Sequence, residues 1–137
     1  MKKYLLSGLL IILTFPVFAQ DHPKILSMKE RAEVINDLLI DKVEKVLPGL
    51  MQRTGIDMWV IVSREYNEDP VIKTFLPATW HAARRRTILV MHNQEGGKIE
   101  TLAVARYDVG EIFKRAWDPE SEPDQWKRLA EIIEQRD

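Results

Sequence analysis

Asp57-Met58-Trp59-Val60-Ile61-Val62-Ser63 is a continuous apolar run bounded by Gly55 on one side and the polar stretch Arg64-Glu65-Tyr66-Asn67-Glu68-Asp69-Pro70 on the other. An amphipathic strand would alternate; an unbroken, short, β-branched run describes a strand covered on both faces. It therefore predicts a central strand in a layered α/β domain, with the polar stretch as the loop beyond its carboxyl end. Asp69-Pro70 is placed to cap and open a short helix running to about Leu76, which Pro77 closes.

Upstream, Ser27-Met28-Lys29-Glu30 has the form of a capping box, so a helix is expected to begin there. Ile35, Leu39, Val43, Val46, Leu47 and Leu50 recur at three- and four-residue steps against a face of Asp37, Asp41, Lys42, Glu44 and Lys45. Pro48 should kink or restart that helix and Gly55 should end it. Downstream, Arg85 to His92 reads as a second strand and Ile99 to Arg106 as a third, joined through Gly96-Gly97 as a hairpin. An acid- and proline-rich stretch, Asp118 to Pro123, leads into a last helix in which Trp126, Leu129, Ala130 and Ile133 share one face. The fold class is α/β, a mixed sheet with flanking helices.

The amino terminus reads as an address. Lys2 and Lys3 precede an apolar stretch from Leu5 to Phe18, and Val17-Phe18-Ala19 offers a cleavage site, so residues 1–19 are expected to be a signal peptide. A membrane anchor is the rival reading, but a spanning helix needs about 20 apolar residues and Pro16 interrupts this one. A bacterial lipoprotein would carry a Cys at the cleavage point, and the chain has none. The expected location is exported, periplasmic or extracellular, with no membrane attachment once the signal is removed. With no cysteines, the mature domain must be stabilised by packing, without disulfides.

Searching for chemistry excludes more than it finds. The chain lacks the nucleophile-elbow, phosphate-loop, zincin and dinucleotide motifs. His22, His81 and His92 show no metal-ligand spacing. Arg84-Arg85-Arg86, with Trp80 and His81 upstream, is a pattern compatible with phosphate or nucleic-acid contact. Strand alternation and the acidic surroundings predict instead that these arginines are split between faces and paired. With 20 Lys plus Arg against 21 Asp plus Glu, net charge gives no argument for a nucleic-acid partner. Loops beyond the carboxyl ends of strands are where α/β domains place ligands. Glu65, Glu68 and Asp69 there have the chemistry of acid, base or cation ligand, although Asp69 has a cap to make. The candidate ligand or interface region thus comprises Arg64, Glu65, Tyr66, Asn67, Glu68 and Asp69, joined by Trp80, His81 and Arg84.

Trp59 through Pro70, followed by Leu76-Pro77-Ala78-Thr79-Trp80 and Ala83-Arg84-Arg85-Arg86-Thr87-Ile88-Leu89-Val90, resembles the amino-terminal domain of exported Xaa-Pro aminopeptidase-like proteins. These belong to the pita-bread metallopeptidase superfamily with prolidase and creatinase. Gly55-Ile56-Asp57 and the segment Gln125 to Ile133 fit the same pattern, so the similarity runs from about Ile25 to Asp137. The resemblance implies that residues 20–137 form a non-catalytic α/β unit with a ribonuclease-H-like mixed sheet. That unit would be incomplete at its C-terminal end, because the family's first domain continues with further strands.

In relatives a separate pita-bread domain holds two divalent metal ions, such as manganese or cobalt, through two Asp, one His and two Glu. None of those positions has a counterpart here, so no cofactor and no catalytic or metal-ligating residue is carried over to this chain. Without the metals, hydrolysis would lack both its Lewis acid and its activated water. The implied role is dimerisation and shaping of the catalytic cleft in a full-length homodimer, with a peptide substrate only where the catalytic domain is present. A stand-alone exported binding or interaction module is the alternative, and an independent enzyme using Glu65, Glu68 or Asp69 is a third class.

Overall fold

The computed structural model describes residues 25–136. The expected signal peptide, His22 and Asp137 lie outside the described residues. Ser27 caps the first helix, α1 (Met28–Asp41), reciprocally: its Oγ accepts from Glu30 N at 3.3 Å and its own N–H donates to Glu30 Oε2 at 2.7 Å. Before Pro48 the helix widens into a single π turn, Lys42–Val46, and continues as α2, Leu47–Thr54. Pro48 has no N–H to offer Glu44, and the wider turn, closed by Leu47 N–H to Lys42 O, accommodates that missing donor without breaking the rod.

The π turn also corrects the buried stripe. Leu39, Val43, Leu47 and Met51 are all buried at equal four-residue steps. In an uninterrupted α-helix each such step drifts by about 40°; the extra residue in the turn takes part of that drift back. Ile35, Val46 and Leu50, expected on the same face, are exposed instead. Gly55 ends α2 in the left-handed conformation, φ 64°, where its N–H reaches the carbonyls of Met51 and Gln52.

Four strands follow: β1 (Met58–Arg64), β2 (Arg86–Asn93), β3 (Ile99–Val104) and the short β4 (Lys114–Arg115). They form one mixed sheet in the order β1-β2-β3-β4, antiparallel except for the parallel β3–β4 pair. β1 is an edge strand and not the central one expected from its apolar run. That position belongs to β2, whose residues Thr87 to Met91 are all buried. The physical reason is that two-sided cover by helices produces the same apolar run at an edge as at the centre. The edge shows in Val62, 42% exposed, and in Trp59 and Val60, which are half-buried where their β2 partners Met91 and Val90 are buried.

Register sorts the side chains into two cores. Ile61 pairs with Leu89 and Leu89 with Ala103, and this row packs against Leu39, Val43, Leu47, Met51, Phe75 and Phe113. Val60 pairs with Val90 and Val90 with Leu102, a row that faces the last helix, α3 (Gln125–Glu134), through Leu129 and Ile132. The molecule is therefore a three-layer α/β/α arrangement. The buried face of α3 is Gln125, Leu129 and Ile132, whereas Trp126, Ala130 and Ile133, expected to share the core face with Leu129, are exposed. A shift of one position in a ten-residue helix moves the stripe by about 100°.

The connection after β1 forms one 3₁₀ turn, Ile72–Thr74, in place of the expected short helix. Asp69 Oδ1 accepts from Val71 N at 2.7 Å, which closes a turn before the 3₁₀ segment; the segment's own N-cap position is Val71 and has no side-chain cap, so Asp69 orders the turn and does not cap a helix as expected. Ile72, Phe75 and Leu76 then enter the first core, where Phe75 meets Trp59 and Phe113 edge-on. β4 was not expected from sequence. It is held by Asp108, whose Oδ1 accepts from Arg115 N at 2.7 Å, and by Thr101, whose hydroxyl donates to Ile112 O at 2.7 Å.

Candidate functional site

At the end of the sheet where β1 and β3 finish and β2 begins, a cleft encloses ≈ 630 Å³. Its walls carry Arg84, Arg85, Arg86 and Arg106, the rings of Trp80, Tyr107 and Trp117, and one carboxylate, Glu65. A shallower depression containing Arg64 and Tyr66 continues it, sharing Glu65, Arg85 and Arg86.

The antiparallel register builds this cluster. Ile88 pairs with Val104, so continuing the ladder outward brings residue 106 opposite residue 86. The β1–β2 ladder ends at Arg64 with Arg86, and Glu65 N donates to Arg85 O at 2.6 Å. Only Arg86 of the basic triplet lies within a strand. Arg85 is left-handed, φ 53°, and Tyr66 across the corner is left-handed at φ 67°. Among the described residues these are the two non-glycine positions with positive φ, each costing about 1–2 kcal/mol relative to the right-handed region.

Three of the arginines lie over aromatic rings. Arg84 stacks on Trp80 at 4.5 Å, Arg86 on Trp126 at 4.9 Å and Arg106 on Trp117 at 6.0 Å from the ring centres. Trp117 is fixed in turn by its indole N–H, which donates to Glu122 O at 2.7 Å. Ion pairs elsewhere hold Arg115, Arg128 and Arg136, but none involves Arg64, Arg84, Arg85, Arg86 or Arg106 among the described residues. This overturns the expectation that the triplet is neutralised by surrounding acids. Asp108, Asp118 and Glu131 are spent on Lys114, Arg115 and Arg128. The one acid in the wall, Glu65, accepts from the backbone N–H of Arg85 at 3.3 Å.

Of the residues singled out from sequence, Glu65, Trp80 and Arg84 line the cleft, and Arg64 and Tyr66 line its extension. Asn67 closes the turn, donating its N–H to Arg64 O at 2.9 Å. Asp69 is occupied by the Val71 N–H in its turn, and neither Glu68 nor His81 lines the cleft. The three acids of the loop therefore do not converge on one point. Sequence reading missed Arg106, Tyr107, Trp117 and Gln125. Hairpin arithmetic, applied to the Ile88 and Val104 ends of β2 and β3, was the signal that would have found Arg106.

His92 sits at the other end of β2. Its buried Nδ1 lies 3.6 Å from Glu100 Oε2, too far for a hydrogen bond, and has no hydrogen-bond partner. Glu100 is gripped by Arg136 through Nε at 2.5 Å and Nη2 at 2.8 Å. Those bonds hold the Glu100 carboxyl below its ordinary range, against partial burial that pushes it up. Among the described residues no group of three or more His, Asp or Glu comes together to hold a metal ion. No described helix is long and apolar enough to cross a membrane. Comparison with family models, with curated proteins and with solved structures found no match.

Proposed function

We propose that the chain is the amino-terminal, non-catalytic domain of an exported Xaa-Pro aminopeptidase-like or prolidase-like metallopeptidase, with a ribonuclease-H-like sheet. Its role is in dimerisation and in shaping the catalytic cleft of the full-length protein. The observation that carries this reading is the stretch from Trp59 to Val90, which resembles that domain and corresponds to β1, the Asp69 turn, the buried Ile72–Leu76 segment and β2. Further support comes from the outer face of the α1–α2 rod, where Val34, Ile35, Leu38 and Val46 are exposed and offer apolar area to a second surface.

On this reading a peptide would be bound and cut by two divalent metals in the pita-bread domain of the whole enzyme, and the 137-residue chain alone has no peptidase activity. Coding DNA beyond Asp137 tests it. A reading frame supplying two Asp, one His and two Glu of a metal-binding domain is the expected result; unrelated sequence would overturn the assignment. Release of the residue before proline by the purified chain with manganese or cobalt would overturn the non-catalytic role. The second reading, a stand-alone exported binding module, is favoured by the arginine cleft, whose four arginines form no ion pair among the described residues.

A further inference from the structure

We infer that the cleft at the β1/β2/β3 corner is a binding site for a small multivalent oxyanion, a ligand bearing two or more phosphate or carboxylate groups. The inference is independent of the peptidase reading, because it rests on residues of this chain alone. Guanidiniums prefer bidentate carboxylate partners, and Arg136 shows the preference satisfied in the same molecule, through two bonds to Glu100. Arg84, Arg85, Arg86 and Arg106 line one cleft and make no ion pair among the described residues. All four are exposed at the cleft, so their charge is open to an anion arriving from solvent and would attract it most strongly at low salt.

Three further observations point the same way. The guanidiniums of Arg84, Arg86 and Arg106 lie over indoles, 4.5, 4.9 and 6.0 Å from the ring centres, contacts that hold the cations in place without using a carboxylate. The two left-handed non-glycine residues, Tyr66 and Arg85, meet at this corner, and strained backbone concentrates where geometry serves a ligand. Finally, ≈ 630 Å³ falls within the range of small-molecule sites, and the tryptophan and tyrosine walls supply an apolar contact beside the charges. Elsewhere, the depression between the π turn and β3 carries Glu44 and Glu111 beside Lys98 and lacks this charge excess.

Isothermal titration of the full chain with inorganic pyrophosphate and, separately, with citrate tests the inference at low ionic strength. One equivalent of at least one probe is expected to bind. The double variant Arg84→Gln/Arg106→Gln should weaken that binding by about tenfold or more, while Arg53→Gln on α2 leaves it unchanged. Preference for pyrophosphate assigns a phosphate ligand, and preference for citrate a carboxylate one. Because the double variant also loses two ring stacks, amide chemical-shift mapping on the unaltered chain provides the second measurement, with changes expected at Arg84 to Thr87, Arg106 and Tyr107. Absence of binding by both probes, equal weakening by Arg53→Gln, or shifts spread over the surface would overturn the site. So would tighter retention of a DNA oligonucleotide in 150 mM salt, an outcome that would make the face a nucleic-acid surface.

Discussion

Glu100 and Arg136 form a clamp that ties the end of α3 to β3, and its strength can be worked out. Two charge-assisted hydrogen bonds, 2.5 and 2.8 Å long, would contribute about 3–6 kcal/mol if fully buried. An exposed pair contributes about 0.2–1 kcal/mol. With side chains 25% and 18% exposed, the pair lies between these limits, at about 2 kcal/mol. A double-mutant cycle with Glu100→Gln, Arg136→Gln and the double variant isolates this term from helix-end effects.

The expected coupling energy is about 1–2 kcal/mol by urea denaturation at pH 7, equivalent to a shift of roughly 4–10 °C in Tm. pH gives an independent check. The folded-state pKa of Glu100 lies below its unfolded value, so its stabilisation is complete above the unfolded pKa and is lost as pH falls through the folded one. The gap between the wild type and Glu100→Gln should therefore be full at pH 7 and shrink below about pH 4. Additivity of the two single variants within about 0.4 kcal/mol would refute the clamp, as would a gap that persists unchanged in acid.

Three other outcomes follow from packing and backbone geometry. Leu89→Ala, in the middle of the central strand, is expected to cost about 3 kcal/mol by urea denaturation, because Leu89 is completely buried between β1 and β3; a cost below about 1 kcal/mol would contradict its central place. Gly110→Ala should destabilise more than Gly55→Ala. Both are left-handed, but a Cβ on Gly110 would stand 3.0 Å from Pro77 Cβ whereas one on Gly55 meets nothing within 4 Å; equal thermal shifts would show that strain alone decides. Arg85→Gly is expected to raise stability by about 0.5–1 kcal/mol by removing left-handed strain and one unpaired charge, and a fall in the urea midpoint would mean that the Arg85 side chain supports the fold.

Gln125 shows why part of the site was not legible in the sequence. Its amide donates to Arg86 O at 3.2 Å and Val104 O at 2.6 Å, joining α3 to the β2 and β3 ends. A polar residue at the start of a helix reads as solvent-facing, and only the packed layers reveal it as buried. The π turn was equally hidden. Pro48 announces an interruption, but whether the helix kinks, stops or widens depends on the sheet that Leu47 and Met51 must reach.

Local signals that depend on neighbouring residues were determined by the sequence alone: the Ser27 cap, the Gly55 stop, the Asp69 turn and the three long strands. The cap, the stop and the turn have their energetics within a few bonds of chain; the strands are marked by short apolar, β-branched runs bounded by polar residues and glycine, although their ladders join residues far apart. Tertiary structure decided strand order, the faces that α1 and α3 bury, and the corner where Arg84, Arg85, Arg86 and Arg106 gather with Glu65 as the one acid among the lining residues. Those depend on which apolar rows meet across layers and on where each carboxylate finds its cation, and such pairings join residues far apart in the chain.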